Sequence, residues 1–177
     1  MIFTPTNIQG VFLLDPERIE DERGFFARTW CRTEFENQGI DPRLVQSSIS
    51  FNKHKGTLRG MHYQRPPHEE TKVIRCTRGA VYDVALDLRS GSPTFRQWVG
   101  STLTAENRQL MVIPPGCAHG FLTLEDDSEV VYQMSEYYAP THAAGVRWND
   151  PAFGIRWPGE VTVIVDRDRS YPDFKAC

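Results

Sequence analysis

The residues with the most chemical capacity at the closest spacing lie in Thr57-Leu-Arg-Gly-Met-His-Tyr-Gln64, one short β-like run in an apolar, glycine-punctuated stretch. Histidine is the side-chain type best suited to trade a proton near neutral pH, so His62 is the first candidate for a general base. Arg59 offers a planar, forked cation that fits phosphate or carboxylate. A lone histidine in such a strand would more often be a polar residue facing water, and what sets His62 apart is the set of residues further along. Lys72 opens the next strand-like run. It would place an ammonium beside a developing oxyanion, or else sit solvated. Tyr132, between Val131 and Gln133, is either a core phenol or a general acid facing His62 across a substrate. Asp166-Arg-Asp168-Arg169 reads as a charged loop that can bring a carboxylate to a ring nitrogen of His62 and fix its tautomer.

Strand parity constrains how these groups meet. Leu58, Gly60, His62 and Gln64 share one face, and Arg59, Met61 and Tyr63 the other. If Arg59 and His62 serve one site, Gly60 must permit a bulge or twist between them. In Ala80 to Leu88, Val81, Asp83, Ala85 and Asp87 oppose Tyr82, Val84, Leu86 and Leu88. Asp83, in mid-strand, is expected to point into a pocket and hold a histidine or a cation. Asp87 with Arg89 reads equally well as a surface ion pair.

The elements that must carry these residues are short strands. Val11–Leu14, Phe25–Trp30, Val45–Phe51, Lys72–Thr77, Ala80–Leu88, Phe95–Leu103, Gln109–Ile113, Ala118–Leu124 and Glu129–Glu136 recur at even spacing between Gly and Pro turns. That rhythm predicts an all-β sandwich or barrel. Thr33–Gln38, stopped by Gly39, is the one convincing helix. The tail from Gly145, with Trp148, Trp157, Pro151 and Pro158, reads as an ordered, aromatic-anchored extension over residues 145–177. The 177 residues fit a single domain spanning 1–177 with a real core. A formal charge of -3 provides no field for nucleic acid or an anionic membrane. Four scattered cysteines (Cys31, Cys76, Cys117, Cys177), no signal-like opening and no long apolar run imply reduced thiols in a cytoplasmic protein. His54, His68 and His142 fall in turn-like segments and are expected to be exposed, with His68 close enough to Lys72 in sequence to line the pocket mouth.

Pro114-Pro-Gly-Cys-Ala-His119-Gly-Phe121 resembles the second half of the cupin signature, carried by antiparallel jelly-roll barrels. Gly56 and His62 fit its first half, Gly-x5-His-x-His, but Gln64 stands at the second histidine position. Thr123 stands where an asparagine is expected. An amide is a poor transition-metal ligand, so a barrel with no metal is expected. More of the chain is similar to one family. Asp21-Glu-Arg-Gly-Phe-Phe26, Leu58 to Gln64, Lys72-Val-Ile-Arg-Cys76, Val81 to Arg89, Ser92-Pro-Thr-Phe95, Thr104-Ala-Glu-Asn107, Ile113 to Phe121, Trp148-Asn-Asp-Pro151 and the Asp168 loop resemble, in order, the dTDP-4-dehydrorhamnose 3,5-epimerases of the cupin superfamily.

The resemblance implies a cupin-type jelly roll with one or a few short helices, and no cofactor. The reaction would be inversion at C3, C5 or both of a dTDP-4-keto-6-deoxy sugar through an enolate. It implies His62 as base, oriented by Asp168, with Tyr132 as acid and Lys72 at the enolate oxygen. His119 and Asp83 would shape and polarise the pocket. Arg59 and Arg23 would take the diphosphate, with Gln46 near the nucleotide, Phe26 among the substrate-binding residues and Tyr138 a stacking surface for the base. It also implies a homodimer whose N-terminal strands, about residues 1–30, are exchanged, so that Arg23 serves the neighbouring site. The pattern departs at Val45-Gln-Ser-Ser48, where Gln-Asp-Asn is common, and at Arg28, where an acidic residue is common. Ser-x-Lys-Asp becomes Val165-Asp-Arg-Asp168, which places Asp166 two residues from the aligned Asp168. The other readings are a mono-epimerase, a sugar-binding cupin without catalysis, and a metal-dependent cupin using His62 and His119.

Overall fold

A computed structural model describes residues 1–175; Cys177 lies outside the described residues. Two antiparallel sheets carry the chain in jelly-roll fashion. The six-stranded sheet runs β1 (Ile2–Pro5), β2 (Phe12–Asp15), β10 (Leu110–Ile113), β7 (Lys72–Arg78), β12 (Ser128–Met134) and β5 (Gln46–Asn52). The five-stranded sheet runs β13 (Ala143–Gly145), β6 (Leu58–Gln64), β11 (Cys117–Thr123), β8 (Ala80–Asp87) and β9 (Trp98–Thr104). A separate hairpin pairs β3 (Arg18–Asp21) with β4 (Gly24–Ala27).

The core sits between the sheets, because alternate side chains of both point inward. Ile74, Cys76, Met111, Ile113 and Val130 from one sheet meet Val81, Ala85, Leu103, Cys117 and Phe121 from the other. The outward residues are buried as well. On the six-stranded sheet, Leu14, Val73, Leu110 and Val112 are covered by Phe35 of α1 (Arg32–Glu36) and by Ile40. On the five-stranded sheet, Met61, Val84, Leu86 and Ala118 are covered by Val146, Phe153, Trp157 and Phe174 of the C-terminal segment. Trp157 is anchored by its indole N–H, which donates to the Trp148 carbonyl at 3.0 Å. Strands apolar on both faces are thus explained by two covers, a short helix on one side and the tail on the other.

Several boundaries differ from expectation. α1 begins at Arg32, with Cys31 at its N-cap position and no side-chain cap, so Thr33 does not start it. The strand expected to reach Trp30 ends at Ala27, and the one expected from Phe95 begins at Trp98. The charged run expected as a loop is a short helix, α2 (Asp166–Arg169), and the segment before Gly145 adds an edge strand, β13.

Asp87 corrects the surface reading outright. Its side chain is fully buried, and Arg89 binds it in a fork, with Nε on Oδ1 at 2.8 Å and Nη2 on Oδ2 at 2.9 Å. Ser92 and Thr94 donate to Oδ2 at 2.5 and 2.7 Å, closing the turn into β9. Burial pushes this carboxyl up, but the Arg89, Ser92 and Thr94 hydrogen bonds outweigh it and hold the pKa at about 2. The folded value lies below the unfolded one, so the stabilisation is complete above about pH 4 and is lost as pH falls toward 2. Asp87→Asn should cost about 2 kcal/mol at neutral pH and flatten the loss of stability over that acid range. Denaturant unfolding at several pH values checks both.

Candidate active site

Gly60 decides how β6 meets its neighbour. His119 pairs with His62 and Phe121 with Arg59, so β6 advances three residues where β11 advances two. The extra residue is the bulge that parity required. Gly60 has a φ of 144°, and a Cβ there would sit 2.5 Å from Gly120 Cα, so only glycine fits. The bulge turns Arg59 and His62 toward the same cleft.

That cleft, of about 650 Å3, is lined by Arg59, His62, Lys72, His119, Tyr132, Arg167 and Asp168 among others. A second cavity of about 360 Å3 shares His62, Lys72, Tyr132 and Arg167, and adds Gln46, Glu70 and Tyr138. His62 Nε2 lies 2.8 Å from Asp168 Oδ1. A carboxylate can only accept, so a hydrogen bond within this dyad requires the imidazole proton on Nε2 and leaves Nδ1 with the free lone pair. Asp168 is itself held by the Gly60 N–H at 3.2 Å and by Arg167 Nε at 3.0 Å. Burial pushes its carboxyl up, but these donors and His62 more than offset that and leave it below the usual carboxylate range. It is therefore ionised at neutral pH. Asp166, the other carboxylate of the run, has no such contact with His62.

Asp83 lies behind a second imidazole. His119 Nε2 is 2.6 Å from Asp83 Oδ1, and both side chains are buried. The Tyr132 ring stands edge-on to His119 at 5.9 Å. Burial, reinforced by the Asp83 charge, raises the Tyr132 phenol above its ordinary value, so it keeps its proton across the neutral range. Arg59 Nε donates to Asn52 Oδ1 at 2.7 Å. Lys72 is paired with Glu70, each side chain about one-tenth exposed. The Gln46 side-chain oxygen accepts from the Tyr138 N–H at 2.7 Å, which ties the two residues of the second cavity together.

The expected pair Arg23 and Phe26 are not brought to either cavity within one chain. Both lie on the β3–β4 hairpin, where Arg23 forks onto Asp21 at 2.5 Å and Phe26 is 70% exposed. Gln64 turns out to be a structural clamp. Its amide donates to the carbonyls of His68 and Tyr137 and accepts from the Ala139 N–H, so it joins two loops at the cavity rim. Among the described residues, no group of three or more His, Cys, Asp or Glu is placed to hold a metal ion. Burial pushes the Cys76 and Cys117 thiols up to about 11 and about 12, which leaves neither as a nucleophile. His68 and His142 are half-buried against each other at 4.5 Å between ring centroids, not exposed singly. Sequence reasoning passed over Glu70 and Arg167, although a carboxylate two residues from Lys72 and a cation beside Asp168 were both visible in the chain.

Comparison with known proteins places the chain in a family. The family model described as dTDP-4-dehydrorhamnose 3,5-epimerase matches residues 5–176. The chain belongs to that family. It is 45% identical to the 3,5-epimerase of Salmonella typhimurium over 159 residues, covering 89% of this chain and 86% of that one. The crystal structure of the Bacillus anthracis 3,5-epimerase, with TDP and PPi bound, superposes with a TM-score of 0.93 at 40% identity, covering 98% and 99% of the two chains. ChmJ, a 3'-monoepimerase from Streptomyces bikiniensis solved with dTDP-quinovose, superposes at 0.87 with 34% identity, covering 96% of this chain and 86% of that one.

Gly60→Ala tests the constraint that aims the epimerase cleft. It should destabilise the fold by roughly 1–3 kcal/mol through overpacking against Gly120. Epimerase activity should fall further than that, because the bulge that turns Arg59 and His62 is lost. Unfolding curves read beside turnover at a temperature where the variant stays folded separate the two effects.

Proposed function

We propose that this protein is a nucleotide-sugar 3,5-epimerase acting on a dTDP-4-keto-6-deoxyhexose, converting the glucose-derived ketone to dTDP-4-dehydro-L-rhamnose. The observation that carries the reading is one cleft lined by a carboxylate-oriented imidazole, a firmly protonated phenol and an ammonium. The C4 ketone acidifies the hydrogens on C3 and C5. His62 Nδ1 takes such a proton, and the electron pair moves into the ketone to give an enolate. Tyr132 then delivers a proton to the opposite face, and the configuration inverts. Lys72, held in place by Glu70, stabilises the enolate oxygen, and His119, backed by Asp83, polarises the same pocket. The ketone is the electron sink. Acid–base catalysis of this kind contributes on the order of two to four powers of ten.

Arg59 takes the diphosphate, and Tyr138 with Gln46 lies beside the nucleotide. Arg23 and Phe26 join the site from a second copy in a homodimer. Three exposed apolar side chains support such an exchange: Ile19 and Phe26 on the hairpin, and Ile49 on the edge strand β5, each about two-thirds exposed or more. The chain would act as one domain in the cytoplasm; among the described residues, no helix is long and apolar enough to cross a membrane. The similarity to a 3'-monoepimerase favours inversion at C3 alone as the second reading.

Proton NMR of the keto sugar in D2O separates these readings. Deuterium should enter at both C3 and C5, and His62→Ala should abolish it. Exchange at C3 alone would make the enzyme a mono-epimerase. Tyr132→Phe should still exchange deuterium, because His62 can return a proton to the face it came from, while the inverted product falls by at least about a hundredfold. Loss of exchange in Tyr132→Phe with folding intact would remove the phenol's assignment as the acid.

A further inference from the structure

Arg167 occupies a position that the mechanism above leaves unused. Its Nε donates to Asp168 Oδ1 at 3.0 Å, and its Nη2 lies 3.2 Å from His62 Nε2. His62 Nε2 also lies 2.8 Å from that same Asp168 oxygen. One ring nitrogen cannot donate to the carboxylate and accept from the guanidinium at once. The three groups therefore offer two arrangements. In one, Nε2 bears the proton, points it at Asp168, and Nδ1 is free to act as base. In the other, Nε2 accepts from Arg167, the proton sits on Nδ1, and the base is blocked.

Proton abstraction makes the conflict sharper. Once His62 has taken a proton from carbon, an imidazolium and a guanidinium would share one carboxylate at hydrogen-bond distance, and like charges so placed repel. Arg167 is well able to leave. Its side chain is 62% exposed, it projects from the four-residue helix α2, and it lines both cavities. The other cations of the cleft are differently engaged, Lys72 with Glu70 and Arg59 with the neutral Asn52. A diphosphate carries more negative charge than a shared carboxylate and offers several acceptor oxygens to a fork.

We propose that Arg167 is a positioning residue: it latches the His62–Asp168 pair in the empty site and releases it when a nucleoside diphosphate binds. The latch rests on the epimerase reading for its ligand. It sets His62 to its basic arrangement only when a substrate bearing the diphosphate is in place, and the departure from lysine to arginine at this position supplies the second prong. An exposed side chain of this kind is not needed for folding, so Arg167→Met should fold normally and Arg167→Lys should be intermediate.

The test uses the full chain with 15N-labelled histidine, the His62 signals being assigned by their absence in His62→Asn. TDP is the probe. In the free enzyme, Arg167→Met should show His62 with the proton on Nε2, whereas the wild type should show a different or averaged pattern. Adding TDP should move wild-type His62 to the pattern of the variant and change the variant little. For the keto-sugar nucleotide, kcat/KM of Arg167→Met should fall about tenfold, mostly through KM, as for loss of one charged hydrogen-bonding partner. Identical His62 patterns in the free wild type and the free variant would overturn the latch. So would TDP that binds, as other signals report, and leaves wild-type His62 unmoved. If TDP does not bind at all, the nucleotide reading fails, while the comparison of the two free proteins still decides whether Arg167 holds His62.

Discussion

Backbone contact between β6 and β11 at Gly60 and Gly120 is the constraint on which the site depends. Two strands packed this closely leave no volume for a Cβ on either side. A Cβ on Gly60 would stand 2.5 Å from Gly120 Cα, and one on Gly120 would stand 2.7 Å from Met61 Sδ. The approach forces one residue of β6 out of register, and the displaced residue is what lets Arg59 escape the parity of a regular strand. It also frees the Gly60 N–H, which is spent on Asp168. One steric fact thus sets the aim of the His62 imidazole, the aim of the Arg59 guanidinium and part of the solvation of the Asp168 carboxylate.

Charge in the cleft is arranged in carboxylate-backed pairs. His62 with Asp168 and His119 with Asp83 repeat one motif on adjacent strands, but the first is open to the cleft and the second is buried. Asp83 is more than a holder for His119, since its charge reinforces burial in keeping the Tyr132 phenol protonated. Lys72 lies in a nearly enclosed setting with Glu70 beside it. An ammonium buried without such a partner carries an uncompensated desolvation cost.

Much of this was legible in the chain, for reasons that differ residue by residue. The strands could be read because inward and outward faces alternate and Gly or Pro marks the turns. The bulge could be read because Arg59 and His62 have opposite parity and only a glycine lies between that permits it. Asp83 could be read because a mid-strand carboxylate in an apolar stretch needs a partner. Asp87 could not: the pattern Asp-x-Arg is the same for an exposed pair and a buried fork, and only the turn through Ser92 and Thr94 encloses it. The helix α2 was hidden because four charged residues carry no apolar period, its one buried member being Asp168. The strand β13 is three small residues paired to β6, too short to register as a pattern. Arg23 and Phe26 were assigned by resemblance alone, and within one chain the hairpin carries them away from the cleft.

The dyad joins residues 106 positions apart, and its carboxylate arrives on the segment that wraps the outside of the barrel. That segment is fixed by the bridge between Thr57 and Val163 and the hydrogen bonds of Thr162 and Val163 to Gly56 and Leu58, by the Tyr171 ring seated over Gly145, and by the Phe174 N–H on Asp150. Its apolar residues Val146, Phe153, Trp157 and Phe174 also cover the outer face of the five-stranded sheet. The wrap that delivers the carboxylate is therefore also a cover of the barrel, and peeling it would remove the partner of His62 and expose Met61, Val84, Leu86 and Ala118 together. The cleft is itself completed by that segment, through Val163, Ile164, Val165, Arg167 and Asp168, so during synthesis the pocket and the His62–Asp168 pair are assembled in one event.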